Sequence, residues 1–397
     1  MSLSPRMSPR SCVVLSLLLF AGSAGFALRP RVSAAAAKPA LADGQAIFRY
    51  DTFGDEQLWT DQLRMHEVIQ SAVSPAVALG VGLNVDSDAL PPGFLASHDL
   101  NDPATTVELI RLDAVIGIKG RVDAGTLTSV GVTCALCHSR ADDSVAPGIG
   151  RRLDGWANSR LNTGAIIALS PALDAAQKAV YNSWGPGRHD PRFNIDGINA
   201  PVVIPPAFGL KDVGLETYTG DGPVSYWNNY VAVTQMGGHG SFSDPRLGIE
   251  IVQTPDLVAP KLPALVQYEL SLKTPPPARG SFDAQAAQRG QGVFRGQGRC
   301  AQCHTPPTYT DVLGHGSPSA PVLHAPSETG MDPLYASRSA TGLYRTTPLR
   351  ALATHAPYFH DGSAPDLRAV VDHYVKVLRL TLSERQKADL VEFLKSL

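Results

Sequence analysis

Cys134-Ala-Leu-Cys137-His138 and Cys300-Ala-Gln-Cys303-His304 place four of the chain's five cysteines in two copies of one pattern. Two thiols three residues apart lie on one face of a helical turn. Each can add to a vinyl group of one haem, and the His that follows reaches the iron. The chemistry implied is covalent haem attachment, twice, with His138 and His304 as iron ligands. Redox disulfides, or a zinc site built from two Cys-x-x-Cys knuckles, would need the paired cysteines but not a His directly after both. Two haems also allow a division of labour. An iron with both axial positions filled changes redox state without binding substrate, whereas an open iron keeps a position for a small oxidant.

The elements that must carry these motifs are legible as an internal repeat. Gly44-Gln-Ala-Ile-Phe48-Arg49 recurs as Gly290-Gln-Gly-Val-Phe294-Arg295, each time in a stretch with amphipathic helical spacing. This predicts a mainly α fold of two cytochrome c-like domains, each opening on that helix and each carrying one haem. Cys300 follows Gly290 by ten residues and Cys134 follows Gly44 by ninety, so the N-terminal domain (38–270) carries a long insertion at about 55–130. Leu58, Leu63, Val68 and Ile69 give the insertion helical periodicity, and Pro91-Pro92-Gly93 and Asn101-Asp102-Pro103 mark turns. It is expected to pack over the first haem. Three prolines in 271–280 read as a stiff linker to the C-terminal domain (281–397). That domain closes on a helix capped by Ser383, with Leu390, Val391, Phe393 and Leu394 at helical spacing. No run of alternating residues argues for a sheet.

Arg6 and Arg10, an apolar run from Cys12 towards Leu28 and the small residues before Ala37 read as a cleavable signal peptide over 1–37, hence a periplasmic mature protein. That segment holds four arginines and no acid; without it 30 basic residues face 36 acidic ones, a formal −6. No basic stripe points to nucleic acid. The expected partner is a small electron-donor protein with a positive face, a cytochrome c or a cupredoxin.

Ala356-Pro357-Tyr358-Phe359-His360-Asp361-Gly362, preceded by Arg345-Thr-Thr-Pro348-Leu349-Arg350, resembles the bacterial di-haem cytochrome c peroxidase and MauG superfamily. Ile198-Asn199-Ala200-Pro201-Val202-Val203 to Ala207-Phe208 is a looser match to the same family. With the two haem motifs the resemblance covers roughly residues 125–397. It implies one haem open to hydrogen peroxide or oxygen and another that passes electrons, and relatives are often homodimers.

Several site residues follow from the resemblance alone. Counting on from His360, as relatives do to reach the ligand that closes the C-terminal haem, arrives at Tyr374 with His373 beside it. Either is a candidate sixth ligand, His373 the favoured one, with Met331 a third. The proton-carrying Glu that relatives place in a Glu-Met-Gly segment corresponds to Gln235, before Met236-Gly237. An amide can hydrogen-bond peroxide but cannot carry its proton; His239 or Glu216 would have to substitute. Trp227, or Tyr218, is the candidate aromatic bridge between haems. Phe242, fifteen residues after Trp227, resembles the apolar residue over the open haem in polyisoprene-cleaving relatives, a weaker similarity. Asn199, with the carbonyls of His355 and Pro357, matches the positions that bind an interdomain calcium ion in relatives. The leading expectation is thus a di-haem peroxidase-type oxidoreductase. The alternatives are a pure electron-transfer cytochrome and a haem dioxygenase of the rubber-oxygenase type.

Overall fold

The computed structural model describes residues 34–314 and 320–397. Of the expected signal segment, residues 1–33 lie outside the described residues. Among the described residues, no helix is long and apolar enough to cross a membrane.

Each haem motif sits beside a crossing of two helices. Ala34–Tyr50 packs on Leu262–Ser271, and Ala284–Arg295 packs on Glu384–Lys395. The repeated glycine makes both crossings possible. A Cβ on Gly44 would stand 2.1 Å from Ala264 O, and one on Gly290 would stand 1.9 Å from Asp389 O. The Phe four residues later closes each contact: Phe48 lies 5.5 Å from Tyr268, and Phe294 lies 5.1 Å from Phe393, ring to ring. Both Phe side chains are buried, and burial of such a ring stabilises by about 1.5–3 kcal/mol. Ser383 caps the last helix: its hydroxyl accepts from the Gln386 N–H at 3.3 Å, while Gln386 Oε1 accepts from the Ser383 N–H at 2.9 Å.

Two separate apolar cores result. The larger surrounds Phe48, Leu136, Trp227 and Leu265; the smaller surrounds Phe294, Leu367, Leu390 and Phe393. Val202, Tyr335, Ala336 and Tyr344 form a third, small cluster that joins residues from both sides of the 271–280 segment.

The long stretch before Cys134 is where the expectation of few strands needs correcting. Ile118–Asp123 and Thr126–Val132 pair antiparallel, turning through Ala124 (φ +49°) and Gly125 (φ +83°). Gly120 and Gly131 hid the alternation. A Cβ on the first would meet Ile110 Cγ2 at 2.5 Å and one on the second Asp55 Oδ1 at 2.1 Å, so neighbours occupy the space where apolar side chains would have betrayed the strands. The hairpin ends two residues before Cys134 and is pinned there by the buried Asp55 carboxyl, which accepts the Val132 N–H at 3.1 Å. The turn Gln57–Gln62 reaches the segment after Gln235: Trp59 Nε1–H donates to Met236 O at 2.9 Å, and Gln57 Nε2 to Gly237 O at 2.8 Å.

Candidate haem-attachment sites

Cys134 opens the short helix Ala135–His138, held because the Thr133 N–H donates to Gly117 O at 3.0 Å. His138 Nδ1 lies 3.1 Å from Pro205 O, and His304 Nδ1 lies 3.0 Å from Tyr309 O. A carbonyl only accepts, so each Nδ1 carries the proton and each Nε2 is left for a metal. Burial pulls the His138 pKa down to about 4, against the Pro205 carbonyl, and burial likewise lowers that of His304. Both imidazoles are therefore neutral at pH 7, the form that ligates iron. All four thiols are unpaired. Burial pushes the Cys137 thiol up to about 12. The one cluster of potential metal ligands among the described residues, Cys303, Asp311 and His324, draws on the second motif alone.

A cavity of about 420 Å³ opens over the second motif, lined by Cys300, Cys303, His304, Tyr374, Arg345 and Glu216 among mostly apolar side chains. Arg345 Nε and Glu216 Oε1 are buried there without a hydrogen-bond partner. An apolar cavity of this size with a few unfilled polar groups suits a large, flat, largely apolar group with an anionic edge. The residues fit a haem.

The two candidate ligands that sequence leaves side by side are separated here. Tyr374 lines the cavity; burial pushes its phenol up to about 12, with Cys300 and Cys303 adding to the shift. His373 does not line it: its Nε2 lies 2.8 Å from Thr329 O and its ring 4.8 Å from Phe359. Preference for His373 is therefore not supported by the geometry, because the helix Leu367–Val377 turns the adjacent Tyr374 inward instead. Met331 also lines the cavity. His360 is 5% exposed, with Nε2 3.1 Å from the Tyr344 hydroxyl, which makes it a packing residue.

Around the first motif the picture differs. Gln235 ends the helix Val224–Thr234; its Nε2 donates to Thr234 Oγ1 at 3.0 Å and its buried Oε1 has no partner. Beside it is His189, which sequence reading missed. Burial lowers its pKa, opposed by Asp190 and by the Gln235 side chain, and it in turn lowers that of His138. His239 points instead to the insertion, its Nδ1 3.3 Å from Gln57 Oε1. Glu216 is ion-paired with Arg345 at 2.9 Å in the other cavity, not grouped with Gln235.

Trp227 is 6% exposed and its indole N–H has no partner. The Arg192 guanidinium lies 5.6 Å from its ring and 5.2 Å from that of Tyr335. Tyr335 lies 6.5 Å from Tyr218, whose hydroxyl donates to Val203 O at 3.0 Å. Trp227 and Tyr218 are thus linked through Arg192 and Tyr335. Phe242 packs on Tyr226 at 5.3 Å and Tyr230 at 5.2 Å. Asn199 Oδ1 accepts the Trp184 indole N–H at 2.9 Å and its Nδ2 donates to Ser183 Oγ at 3.0 Å, while His355 and Pro357 line the second cavity. The expected calcium ligands are not drawn together by any bond they make.

No family model matches the chain. It is 34% identical over 125 residues to the methylamine utilization protein MauG of Methylorubrum extorquens, covering 28% of this chain and 34% of that protein. It is 32% identical over 154 residues to a cytochrome-c peroxidase of Pseudomonas sp. (strain SCT), covering 30% of this chain and 42% of that one. A solved MauG-like protein associated with microbial copper homeostasis aligns with 50% of this chain and 74% of its own at 19% identity and a TM-score of 0.36. The chain spans about a third of the length of the MauG proteins it matches. The relatives matched are named as MauG and cytochrome-c peroxidases, and the matched segment of this chain is similar to that di-haem superfamily.

Proposed function

We propose that the protein is a periplasmic di-haem oxidoreductase with two cytochrome c-like domains. One haem is held by Cys134, Cys137 and His138, the other by Cys300, Cys303 and His304. A haem, when bound, supplies an iron that exchanges single electrons and, where a position is open, takes up hydrogen peroxide or oxygen. The observation that carries the assignment of roles is the asymmetry at the two histidines: Tyr374 stands in the cavity of His304, whereas the ionisable neighbour that acts on His138 is His189, with Gln235 beside it.

Tyr374, rather than His373, would close a haem held at the second site, and a phenolic oxygen or other non-thioether ligand there would favour a lower potential than Met. Arg345 and Arg350 line that cavity and would meet the anionic edge of a haem held there. At the first site the Gln235 amide orients the oxidant by hydrogen bonds and holds no transferable proton. His189, which the Gln235 side chain touches, is the candidate base there. Trp227, Arg192, Tyr335 and Tyr218 form the contact series between the two sites. The acidic mature chain takes electrons from a small protein with a positive face.

The test is optical and magnetic spectroscopy of the purified, haem-loaded chain. Two covalent haems are expected, one high-spin and one low-spin, with the high-spin signal alone responding to peroxide. Two low-spin haems, inert to peroxide both as isolated and after reduction, would overturn the assignment in favour of a pure electron carrier. Stable oxygen binding without peroxide would move it to the oxygenase class.

A further inference from the structure

Two carboxyl groups lie buried between the haem motifs, and no step above uses them as acids. Glu269, on the helix Leu262–Ser271, is 4% exposed, and the hydrogen bond described for its carboxylate comes from Asn228 Nδ2 at 2.6 Å. Asn228 follows Trp227 on the helix Val224–Thr234. Glu216 is 7% exposed and lines the second cavity; its Oε2 pairs with Arg345 at 2.9 Å while its Oε1 has no partner. The two carboxyls are close enough to act on each other, and Glu269 acts on the Cys134 thiol of the first motif.

Glu269, like the buried Asp55, faces no cation, whereas Asp190, Asp221, Asp244 and Glu216 are each paired with an arginine. Asn228 is neutral, and Glu216 brings like charge with Arg345 and Arg350 behind it. Tyr268, its neighbour on the same helix, turns to Asp154, which pairs with Arg49 of the opening helix. An unpaired buried carboxylate is costly, so the group takes up a proton instead. Burial pushes the Glu269 pKa up to about 8; the Asn228 bond opposes this and Glu216 adds to it.

We propose that Glu216 and Glu269 form a buried proton-loading pair between the two sites, with Glu269 taking up one proton when the haem on Cys134 gains one electron. This rests on the haem reading of that motif. The balance is simple: an external reductant gives one electron to the ferric iron, water gives one proton to the Glu269 carboxylate, and the one bond formed is the carboxyl O–H. The added negative charge near Cys134 is thereby neutralised without opening the site to solvent.

Potentiometric titration of the haem-loaded chain across pH tests this. The midpoint potential of the N-terminal haem is expected to be flat below the Glu269 pKa of about 8 and to fall as pH rises above it, and Glu269→Gln to lose that slope while retaining both haems. Glu216→Gln, which removes like charge, shifts the sloping region to lower pH; Asn228→Ala, which removes the stabilising donor, shifts it higher. A reduced-minus-oxidised infrared spectrum should gain a carboxyl C=O band that moves in D2O and is absent in Glu269→Gln. Should Glu269→Gln not fold, the opposed shifts of the other two variants decide the matter. A slope unchanged by all three substitutions overturns the pair while leaving the haem reading intact. A chain without covalent haem overturns both.

Discussion

The two halves use one device and put it to different ends. In each, a glycine lets the opening helix touch the backbone of the closing one, a Phe four residues later seals the contact, and the motif His gives its Nδ1 proton to a carbonyl. What differs is the surroundings. The N-terminal motif hangs from a hairpin and belongs to a large continuous core; the C-terminal motif closes over an apolar cavity beside a much smaller core. The lesson is that the repeated sequence encodes attachment and ligation, whereas the unrepeated segments set what each site can do.

Removing the attachment thiols should break the comparison most severely. With a small core wrapped around its cavity, the C-terminal half depends on its cofactor for cohesion, since a bound group stabilises only the folded state. Cys300→Ala with Cys303→Ala should leave one covalent haem per chain and strip residues 284–395 of amide-exchange protection. Cys134→Ala with Cys137→Ala should also leave one haem but preserve protection over 48–268. Equal loss of protection in both variants would show that the cores do not differ in this way.

Next in size is the glycine crossing. Gly44→Ala and Gly290→Ala each drive a methyl into a backbone carbonyl, at 2.1 and 1.9 Å, so the helices must separate. Overpacking of this kind costs about 1–3 kcal/mol. The larger core should absorb Gly44→Ala at the low end of that range, and the smaller should show the full effect for Gly290→Ala. Denaturant midpoints measured on each variant check it; a neutral Gly290→Ala contradicts the close approach.

A third comparison is internal to the second site. Tyr374→Phe should convert the low-spin haem to high-spin without loss of haem, while His373→Gln should leave the spectrum as it is. The reverse result would assign the ligand to His373 and require the Thr329 contact to be given up.

Legibility followed the same division. Covalent attachment demands a fixed spacing, so both motifs stand out in the chain, and the paired Gly and Phe are readable because a close crossing admits few residue types. The hairpin was hidden by Gly120 and Gly131, whose missing side chains interrupt the period that strands normally display. His373 and Tyr374 were not separable in sequence, because one residue of helical rotation decides which enters the cavity. Glu269 reads as an ordinary helical acid, and Arg192 as an ordinary surface cation. Burial against partners tens of residues away gives them their character, and no local pattern records that.

The smallest expected effect separates the halves by pH. His324 is bracketed by Asp311 and Glu328, its ring nitrogens each 3.0 Å from a carboxylate oxygen. Burial alone would lower its pKa, but the bonds to Asp311 and Glu328 outweigh it and the net shift is upward. A raised folded-state pKa means that the charged pairs stabilise fully below about pH 6.5, the ordinary value for His, and that this contribution fades as pH rises through the folded value. Glu328 is 56% exposed, so its share is screened and the whole effect is about 1 kcal/mol or less. The first motif's neighbour His189 is shifted the other way, by burial, and makes no such contribution. Unfolding of wild type and His324→Gln, compared from about pH 6 to about pH 9, should give stability curves that differ at the acid end and converge at the alkaline end. Curves that stay parallel across the range would mean that His324 is not the titrating group.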